Sequence, residues 1–443
     1  MLKTMTRILY AFFRLEEHKT SIRGEFFGGL TTFMAMAYVV FVVPGMLADA
    51  GMPKEPAITA LILITAATTL AMGLWANFPV AVAPGLGISA FFAYYVCGTL
   101  HLPWQTALGA VFISGLVFFL LTVTRLRQLI IDAVPVDLKY AAVAGIGAFI
   151  ALIGLKNCGI IVAHPQNFMA LGDLTTPAPL LALAGICCIG GMMARGFRTA
   201  MPIGIILVTL VGMAAGQVRL PASLADIVSF SVPGPAPIFG RLDIPGAVHY
   251  GLFSIIFTIT VVDLFDNIGT LIGLTRKAGL MDARGHIPNL DRALLTDSLG
   301  AMGSACMGTP TVTAYIESAS GIAAGGRTGL TAVFTALFFL LTLFFVPLVA
   351  LVPPFATAPA LVVVGALMMQ EVTHIGFNDF CVALPAFLTI IMMPLTFSIA
   401  TGFGFGFISY VLLHALTGRA ARLSPVMWGI SLCFAVNFAL RLH

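Results

Sequence analysis

Apolar stretches of about 20 residues, separated by short polar connections, recur along the whole chain. A helix of that length crosses the hydrocarbon core of a bilayer, so each stretch predicts one membrane-spanning helix. We expect about 14 spans, at 26–47, 57–76, 84–98, 104–123, 137–156, 178–194, 199–216, 247–274, 291–307, 313–325, 328–351, 357–371, 379–397 and 400–417. The pattern therefore predicts an all-α polytopic membrane protein.

The two ends of the chain show weaker patterns. Residues 1–25 place basic side chains among apolar ones at roughly helical spacing, which predicts a helix lying along the cytoplasmic membrane surface. The first apolar run, 26–47, is too long for a cleavable signal and is interpreted as a retained helix. In the C-terminal segment 418–443, the apolar run 424–441 is either an extra span or an interfacial helix.

A proline-rich connection, 217–245, divides the predicted spans into two sets of seven, 26–216 and 246–417. We expect this connection to be an extracytoplasmic loop. Because an odd number of spans reverses direction across the membrane, the two halves would have opposite orientations. If they are structural repeats they are inverted repeats, which are common in transporters.

One segment in each half is too short to cross the bilayer as a helix. These segments begin with PVAVAPGLGIS at 79–89 and GTPTVTA at 308–314, whose β-branched residues, Pro and Gly favour extended backbone. We predict two strand–half-helix segments that meet at the midplane, where the strands satisfy part of each other's hydrogen bonding. The half-helix N-termini would then point at one central site. The alternative is two ordinary short helices with flexible entries.

Composition and charge agree with a membrane location. The chain is 59% hydrophobic and 9% charged, with a mean hydropathy of +1.04. Its net charge of +4 comes from basic residues in alternate loops, which the positive-inside rule places in the cytoplasm together with the N-terminus. The basic excess is thus interpreted as membrane topology, in a bacterial inner membrane, and no nucleic-acid partner is expected.

Motifs of other function classes are missing from the sequence. The seven cysteines include no pair with metal-ligand spacing and are interpreted as packing residues. A GxxxxGK[ST] phosphate-binding loop and an HExxH zinc motif are both absent. We therefore expect neither an enzyme nor a bound cofactor or metal.

Three carboxylates lie where carboxylates are costly. Asp263 and Asp266 share one helix face of an apolar span, and Glu317 falls in the first turn of the second half-helix. We predict that they hold a polar solute or a proton, although one of them, above all Asp263, could instead brace a neighbouring helix. For Asp297 we expect a structural ion pair with the basic loop that contains Arg292.

Several runs of residues together resemble a known family. They are FD at 265–266 followed by GTLIGLTRKAG at 269–279, TAYIESASG at 313–321, AGGRTGLT at 324–331, APGLG at 83–87, VPP at 352–354 and MMPLTFS at 392–398. This combination resembles the AzgA-like purine permeases, a branch of the nucleobase–cation symporter family. The resemblance implies a uracil-permease-like fold with a 7+7 inverted repeat, in which 26–123 and 246–351 form a core domain and 137–216 and 357–417 form a gate domain.

The resemblance also implies a site between the two domains, at the half-helices and the eighth span. Asp266 and Glu317 match the substrate-holding carboxylates of the family, and Asp263 matches a further functional acid. The expected substrate-binding residues are Asp266, Glu317, Ser89, Ala90, Thr313 and Phe33, and the expected proton-coupling residues are Asp263, Asp266 and Glu317. Family members often carry Asn at the position of Ser89, so the hydrogen bonds offered to the base differ here.

These expectations describe a secondary active transporter that takes up adenine, guanine or hypoxanthine by proton symport, through an elevator-like or rocking movement. The alternatives are a pyrimidine or xanthine carried on the same fold, or a passive channel. An anion carrier would not present several carboxylates to its ligand. The expected partners are the nucleobase, the proton and the lipid bilayer, and a homodimer is a further candidate assembly.

Overall fold

The computed structural model of the protein describes residues 2–124, 126, 133–250, 253–280 and 287–441. Most of these residues are helical. Residues 251 and 252 of the predicted span 247–274, like residues 442 and 443 of the C-terminal segment, lie outside the described part of the chain.

The first half of the chain is mainly helical, with three short strands. Its helices are α1 Leu2–Phe13, α2 Ile22–Met36, α3 Val39–Asp49, α4 Lys54–Ala71, α5 Leu86–Ala90, α6 Trp104–Val123, α7 Val136–Asn157, α8 Pro177–Ala194 and α9 Ala200–Ala214. Two π-helical segments, Met72–Ala76 and Phe91–Thr99, continue α4 and α5. The strands are β1 Val82–Pro84, β2 Ile161–His164 and β3 Phe168–Leu171.

The second half of the chain contains one described strand, β4 Val312–Ala314. Its α-helices are α10 Ile244–His249, α11 Phe253–Ala278, α12 Leu290–Met307, α13 Ser318–Ala323, α14 Gly329–Leu341, α15 Val346–Ala350, α16 Pro354–Met369, α17 Phe380–Leu395, α18 Ile399–Leu416 and α19 Pro425–Arg441. Short 3₁₀ turns occur at Leu224–Asp226, Thr342–Phe345, Gln370–His374 and Ala420–Arg422.

Within the described ranges, eight helices are long and apolar enough to cross a membrane. They are Ile22–Asp49, Lys54–Ala76, Trp104–Val123, Val136–Asn157, Pro177–Ala194, Gly329–Ala350, Pro354–His374 and Ile399–Leu416. Shorter apolar helices include Leu86–Thr99 and Ala200–Ala214. The prediction of a mostly helical membrane protein is confirmed. The larger number of spans and the 7+7 repeat stay predictions, as do the domain boundaries.

Strands β1 and β4 come from opposite halves of the chain and pair antiparallel, with Val82 opposite Ala314 and Pro84 opposite Val312. Their pairing satisfies backbone hydrogen-bonding groups of residues that are fully buried inside the protein. A strand is therefore followed by a short helix in each half, as predicted, and the alternative of two ordinary short helices does not hold. The sequence did not indicate the β2–β3 hairpin.

The second half-helix is shorter than predicted. We expected 313–325, but α13 runs only over Ser318–Ala323, because the preceding residues form β4 and because Gly325 follows with a φ of +115°. Glu317 is accordingly the residue just before the helix rather than a member of its first turn. The first half-helix is longer than the second, since α5 continues as the π-helical segment Phe91–Thr99.

Helix α2 fixes α13 and α14 through close backbone contact and one buried carboxylate. A Cβ atom at Gly28 would lie 2.8 Å from the Cα atom of Gly326, so only glycine allows this approach. Glu25 is fully buried and accepts hydrogen bonds from the backbone N–H of Arg327 at 2.9 Å and from the Thr331 hydroxyl at 2.6 Å. These contacts hold the far end of the second strand–half-helix segment against α2.

Candidate functional site

The two strand–half-helix segments are tied to each other beyond the strand pairing. The Tyr315 hydroxyl donates a hydrogen bond to the Pro84 carbonyl at 2.6 Å, and the Ala81 N–H donates to the Ser318 hydroxyl oxygen at 3.0 Å. Each segment is therefore hydrogen-bonded to the other close to the start of its half-helix. The half-helices begin at this crossing, so the side chains at their starts are brought to one place.

Glu317 lies at the crossing and contacts a residue from the first span. The Tyr38 hydroxyl donates a hydrogen bond to Glu317 Oε1 at 2.6 Å. Tyr38 is buried, 1% exposed, whereas Glu317 is half-buried. Tyr38 is not among the predicted site residues, because its only signal in the sequence is a hydroxyl within a largely apolar stretch.

Asp266 is half-buried on α11 and faces the same region as Glu317. The Thr313 side chain of β4 and the Glu317 carboxylate are both close enough to Asp266 to interact with it electrostatically. The structure thus brings together three predicted site residues, Asp266, Thr313 and Glu317. Two half-buried carboxylates beside each other can accept hydrogen bonds from N–H groups of a solute or can take up a proton.

Asp263 is in a different environment from Asp266, although both lie on α11. It is fully buried, its Oδ1 accepts a hydrogen bond from Asn267 Nδ2 at 2.9 Å, and its Oδ2 accepts one from the Thr311 hydroxyl at 3.1 Å. Asn267 in turn accepts from the Ala314 N–H at 2.7 Å. Asp263 and Asn267 therefore fasten β4 to α11.

The first half-helix contributes fewer polar groups. Ser89 and Ala90 are fully buried, and the Ser89 hydroxyl has no hydrogen-bond partner. A buried hydroxyl without a partner is costly unless a ligand or water completes it. Ser89 is therefore the group of this half-helix that a bound solute would satisfy.

Phe33, an expected substrate-binding residue, and the aromatic side chains of the first half-helix have packing contacts. Phe33 lies 5.7 Å from Phe338 and 5.1 Å from Phe339 between ring centroids, both on α14. Phe91 and Phe92 are each 1% exposed, and Phe91 stacks on Tyr95 at 5.1 Å. Phe33, Phe91 and Phe92 therefore have the contacts of packing residues, and substrate binding by Phe33 stays a prediction.

Asp297 does not form the ion pair that was expected with the basic loop containing Arg292. It is fully buried, neither carboxylate oxygen has a hydrogen-bond partner, and Arg292 is exposed. The predicted ion pair is therefore wrong. Asp297 lies one turn before Gly300, whose missing side chain lets α12 approach Thr68 and Val312, so both positions share one face of α12. The sequence signal was a carboxylate one turn from glycine in an apolar helix.

No group of three or more His, Cys, Asp or Glu side chains placed to hold a metal ion is found in the part of the chain that the structure describes.

Comparisons with known proteins agree along nearly the full chain. The Xan_ur_permease model, described as the Permease family, matches residues 23–405. Adenine permease AdeQ of Escherichia coli (strain K12) is 42% identical over 97% of this chain and 95% of that protein. Guanine/hypoxanthine permease PbuG of Bacillus subtilis (strain 168) is 42% identical over 96% of this chain and 98% of that protein.

Solved structures with low sequence identity share the fold. The transmembrane domain of the cyanobacterial bicarbonate transporter BicA superposes with a TM-score of 0.64 at 18% identity, covering 85% of this chain and 96% of that one. The murine Slc26a9 anion transporter gives a TM-score of 0.63 at 10% identity, covering 93% of this chain and 72% of that one. These similarities show the fold of this chain alone.

Proposed function

Because this chain belongs to the Xan_ur_permease family, we propose that it is a secondary active transporter that takes up purine nucleobases together with protons. The observation that carries the proposal is the pair of half-buried carboxylates, Asp266 and Glu317, at the crossing of β1 and β4. The activities by which the relatives are named, adenine permease and guanine/hypoxanthine permease, support a purine as the substrate.

The chemistry of the site suits a flat neutral heterocycle. A purine offers ring N–H donors together with nitrogen and oxygen acceptors, and carboxylates are acceptors for N–H groups. In this proposal Asp266 and Glu317 accept from the base. Ser89, Ala90 and Thr313 line the site, and Phe33 completes it. A bicarbonate or chloride ion would be repelled by the same two carboxylates.

Proton coupling is proposed for the same acidic groups. Asp266 and Glu317 are neighbours with like charge, so the binding of one proton to the pair relieves the repulsion between the two carboxylates. Asp263 contributes to coupling by holding Asn267 and Thr311, and through them β4, in place. We assign the positioning role to Asp263 and the binding role to Asp266 and Glu317 because Asp263 is fully buried, whereas the other two carboxylates are not.

Alternating access would be produced by movement between a core domain, 26–123 and 246–351, and a gate domain, 137–216 and 357–417. Asp266, Glu317 and Ser89 belong to the core in this division. Helix α5 of the core meets α7 of the gate closely, since a Cβ atom at Gly87 would lie 2.6 Å from Ile146 Cγ2. The movement is elevator-like or rocking.

The test is uptake of radiolabelled adenine and hypoxanthine into proteoliposomes that contain the purified chain. With an inward-directed proton gradient we expect accumulation above the external concentration, collapse with a protonophore, and no effect of replacing sodium with choline. Unlabelled adenine, guanine, hypoxanthine, xanthine and uracil are added as competitors. Glu317→Gln provides the inactive control.

Each outcome separates one alternative. Equilibration without accumulation would indicate a passive channel, and a sodium requirement would overturn proton coupling. Competition by uracil or xanthine alone would assign another heterocycle to the site.

A further inference from the structure

Three polar side chains form a continuous hydrogen-bonded chain at the end of the bundle that carries the α3–α4 turn. Asn157 Nδ2 donates to the Tyr94 hydroxyl oxygen at 2.7 Å, and the Tyr94 hydroxyl donates to Asp49 Oδ2 at 2.8 Å. A phenol has one hydrogen to donate, so Tyr94 is committed to Asp49 and receives Asn157 on its lone pair. The bond to the carboxylate is charge-assisted and strong.

These hydrogen bonds connect the proposed core and gate domains, which move relative to each other in the proposed mechanism. Asp49 ends α3, and Tyr94 lies on the π-helical segment that continues the first half-helix. Asn157 ends α7, the first helix of the proposed gate domain. The Asn157–Tyr94 bond therefore crosses from gate to core, whereas the Tyr94–Asp49 bond lies within the core.

The same residues surround a narrow cavity. Asp49, Lys54, Tyr94 and Asn157 line it together with Thr357 of α16, and its volume is about 30 Å³. The Lys54 ammonium group donates to the carbonyls of Ala350 and Val352 at 2.9 and 3.0 Å and thereby closes one wall. A cavity of this size has room for ordered water.

We propose that the Asn157–Tyr94–Asp49 chain is a latch that closes this mouth of the transport path and must break whenever the path opens here. The inference rests on the proposed alternating-access function, and the positive-inside pattern assigns this mouth to the extracytoplasmic side. Ser89 and Tyr94 lie on one uninterrupted helical segment, Leu86–Thr99. Movement of the half-helix with bound substrate therefore pulls directly on the Tyr94 hydroxyl.

The opposite end of the molecule supplies a matched control. There Arg198, in the α8–α9 connection of the proposed gate, donates a hydrogen bond from Nη1 to the Ser320 carbonyl of α13 at 3.2 Å. This contact also crosses from gate to core but is remote from the latch in the proposed topology. Arg198→Gln should therefore not make the extracytoplasmic mouth open more readily.

The experiment measures how readily the mouth opens. Thr357→Cys introduces a reporter into the cavity wall, in a chain whose accessible cysteines are replaced by serine and which retains uptake. A membrane-impermeant thiol reagent is added to the outside of intact cells, and the labelling rate at position 357 is followed by mass spectrometry. Tyr94→Phe removes the hydroxyl and keeps the ring, and Asn157→Ala removes only the bond between gate and core.

We expect both substitutions to increase the labelling rate about two- to ten-fold, as the loss of one net hydrogen bond predicts, and Arg198→Gln not to increase it. An unchanged rate in Tyr94→Phe and Asn157→Ala would overturn the latch. An equal increase in Arg198→Gln would show general loosening and would also overturn it. Unaltered elution on gel filtration and unaltered unfolding temperature establish that the variants fold.

Labelling needs no substrate, so the latch is tested independently of the transported solute. If wild-type chain fails to accumulate purines while Tyr94→Phe still opens the mouth, the proposed substrate is wrong and the latch stands. If purine uptake is proton-driven but labelling does not change, the latch alone fails.

Discussion

The two strand–half-helix segments have the same backbone design and different side-chain chemistry. Each begins with a fully buried three-residue strand, and the strands pair with each other. The first segment then offers at Ser89 a buried hydroxyl without a hydrogen-bond partner, whereas the second begins its half-helix at the carboxylate of Glu317. We therefore expect the second half to supply the charge of the candidate site and the first half to supply a neutral surface.

The two strands are also fastened differently. Strand β1 is held by Thr69 of α4, whose hydroxyl accepts from the Val82 N–H and donates to the Val82 carbonyl, each at 3.0 Å. Strand β4 is held by Asn267, whose amide links the Ala314 N–H to the buried carboxylate of Asp263. A neutral hydroxyl thus holds one strand, and a network that ends on a carboxylate holds the other. We expect substitutions in the second segment to have the larger effects.

The largest effect is expected for Glu317→Gln. Tyr38 can still donate to the amide oxygen, so the chain should fold, but the charge-assisted bonds to the base are lost. Hydrogen bonds to charged groups contribute about 1.5–3 kcal/mol, so affinity for the preferred purine should fall at least about ten-fold. Equilibrium binding of labelled adenine and hypoxanthine to the purified variant measures this, and wild-type affinity would sink the assignment of Glu317 to the site.

Asp266→Asn and Asp263→Asn should separate two roles on one helix face. Asp266 is half-buried and lies beside Glu317, so Asp266→Asn should abolish measurable binding. An amide at position 263 can still accept from Asn267 and can donate to the Thr311 oxygen, so binding should persist while proton-driven accumulation is impaired.

Counterflow, which reports exchange without net proton movement, is measured for both variants beside equilibrium binding. If Asp263→Asn loses binding as completely as Asp266→Asn, both acids belong to one substrate site and the bracing role is wrong.

The fastening of the two strands can be compared through unfolding temperature. Asn267→Ala leaves both the Ala314 N–H and one oxygen of Asp263 without these partners. Thr69→Ala removes the partner of the Val82 N–H and leaves the Val82 carbonyl with the longer bond from the Thr68 hydroxyl at 3.5 Å. A buried group left unsatisfied costs about 1–3 kcal/mol, and more when it is charged, so Asn267→Ala should destabilise the protein more. Thermal unfolding of both variants in detergent provides the comparison. Equal losses would mean that the carboxylate adds nothing to the second fastening.

The sequence predicted the features that depend on neighbouring residues. Long apolar stretches indicated helices, and Pro, Gly and β-branched residues at 79–89 and 308–314 indicated the paired strands. It could not reveal partners that only the fold brings together, such as Thr311 on Asp263, 48 residues away, or Tyr38 on Glu317, 279 residues away. For the same reason the buried and unpaired state of Asp297 was mistaken for an ion pair.

The smallest effect is expected for Ser89→Ala, which tests the neutral segment. The Ser89 hydroxyl is fully buried without a partner in the structure, so its removal should leave the unfolding temperature unchanged or slightly higher. A neutral hydrogen bond contributes about 0.5–1.5 kcal/mol, so affinity for purines that use this hydroxyl should fall less than about ten-fold. Competition by adenine, guanine and hypoxanthine is measured for Ser89→Ala and, as the matched variant, for Ser89→Asn, which offers both a carbonyl and an amide. We expect the order of preference to change between the two variants while Glu317 continues to dominate affinity. A loss as large as that of Glu317→Gln would make the two segments equal contributors, and identical purine affinities in the wild type and both variants would place Ser89 outside the site.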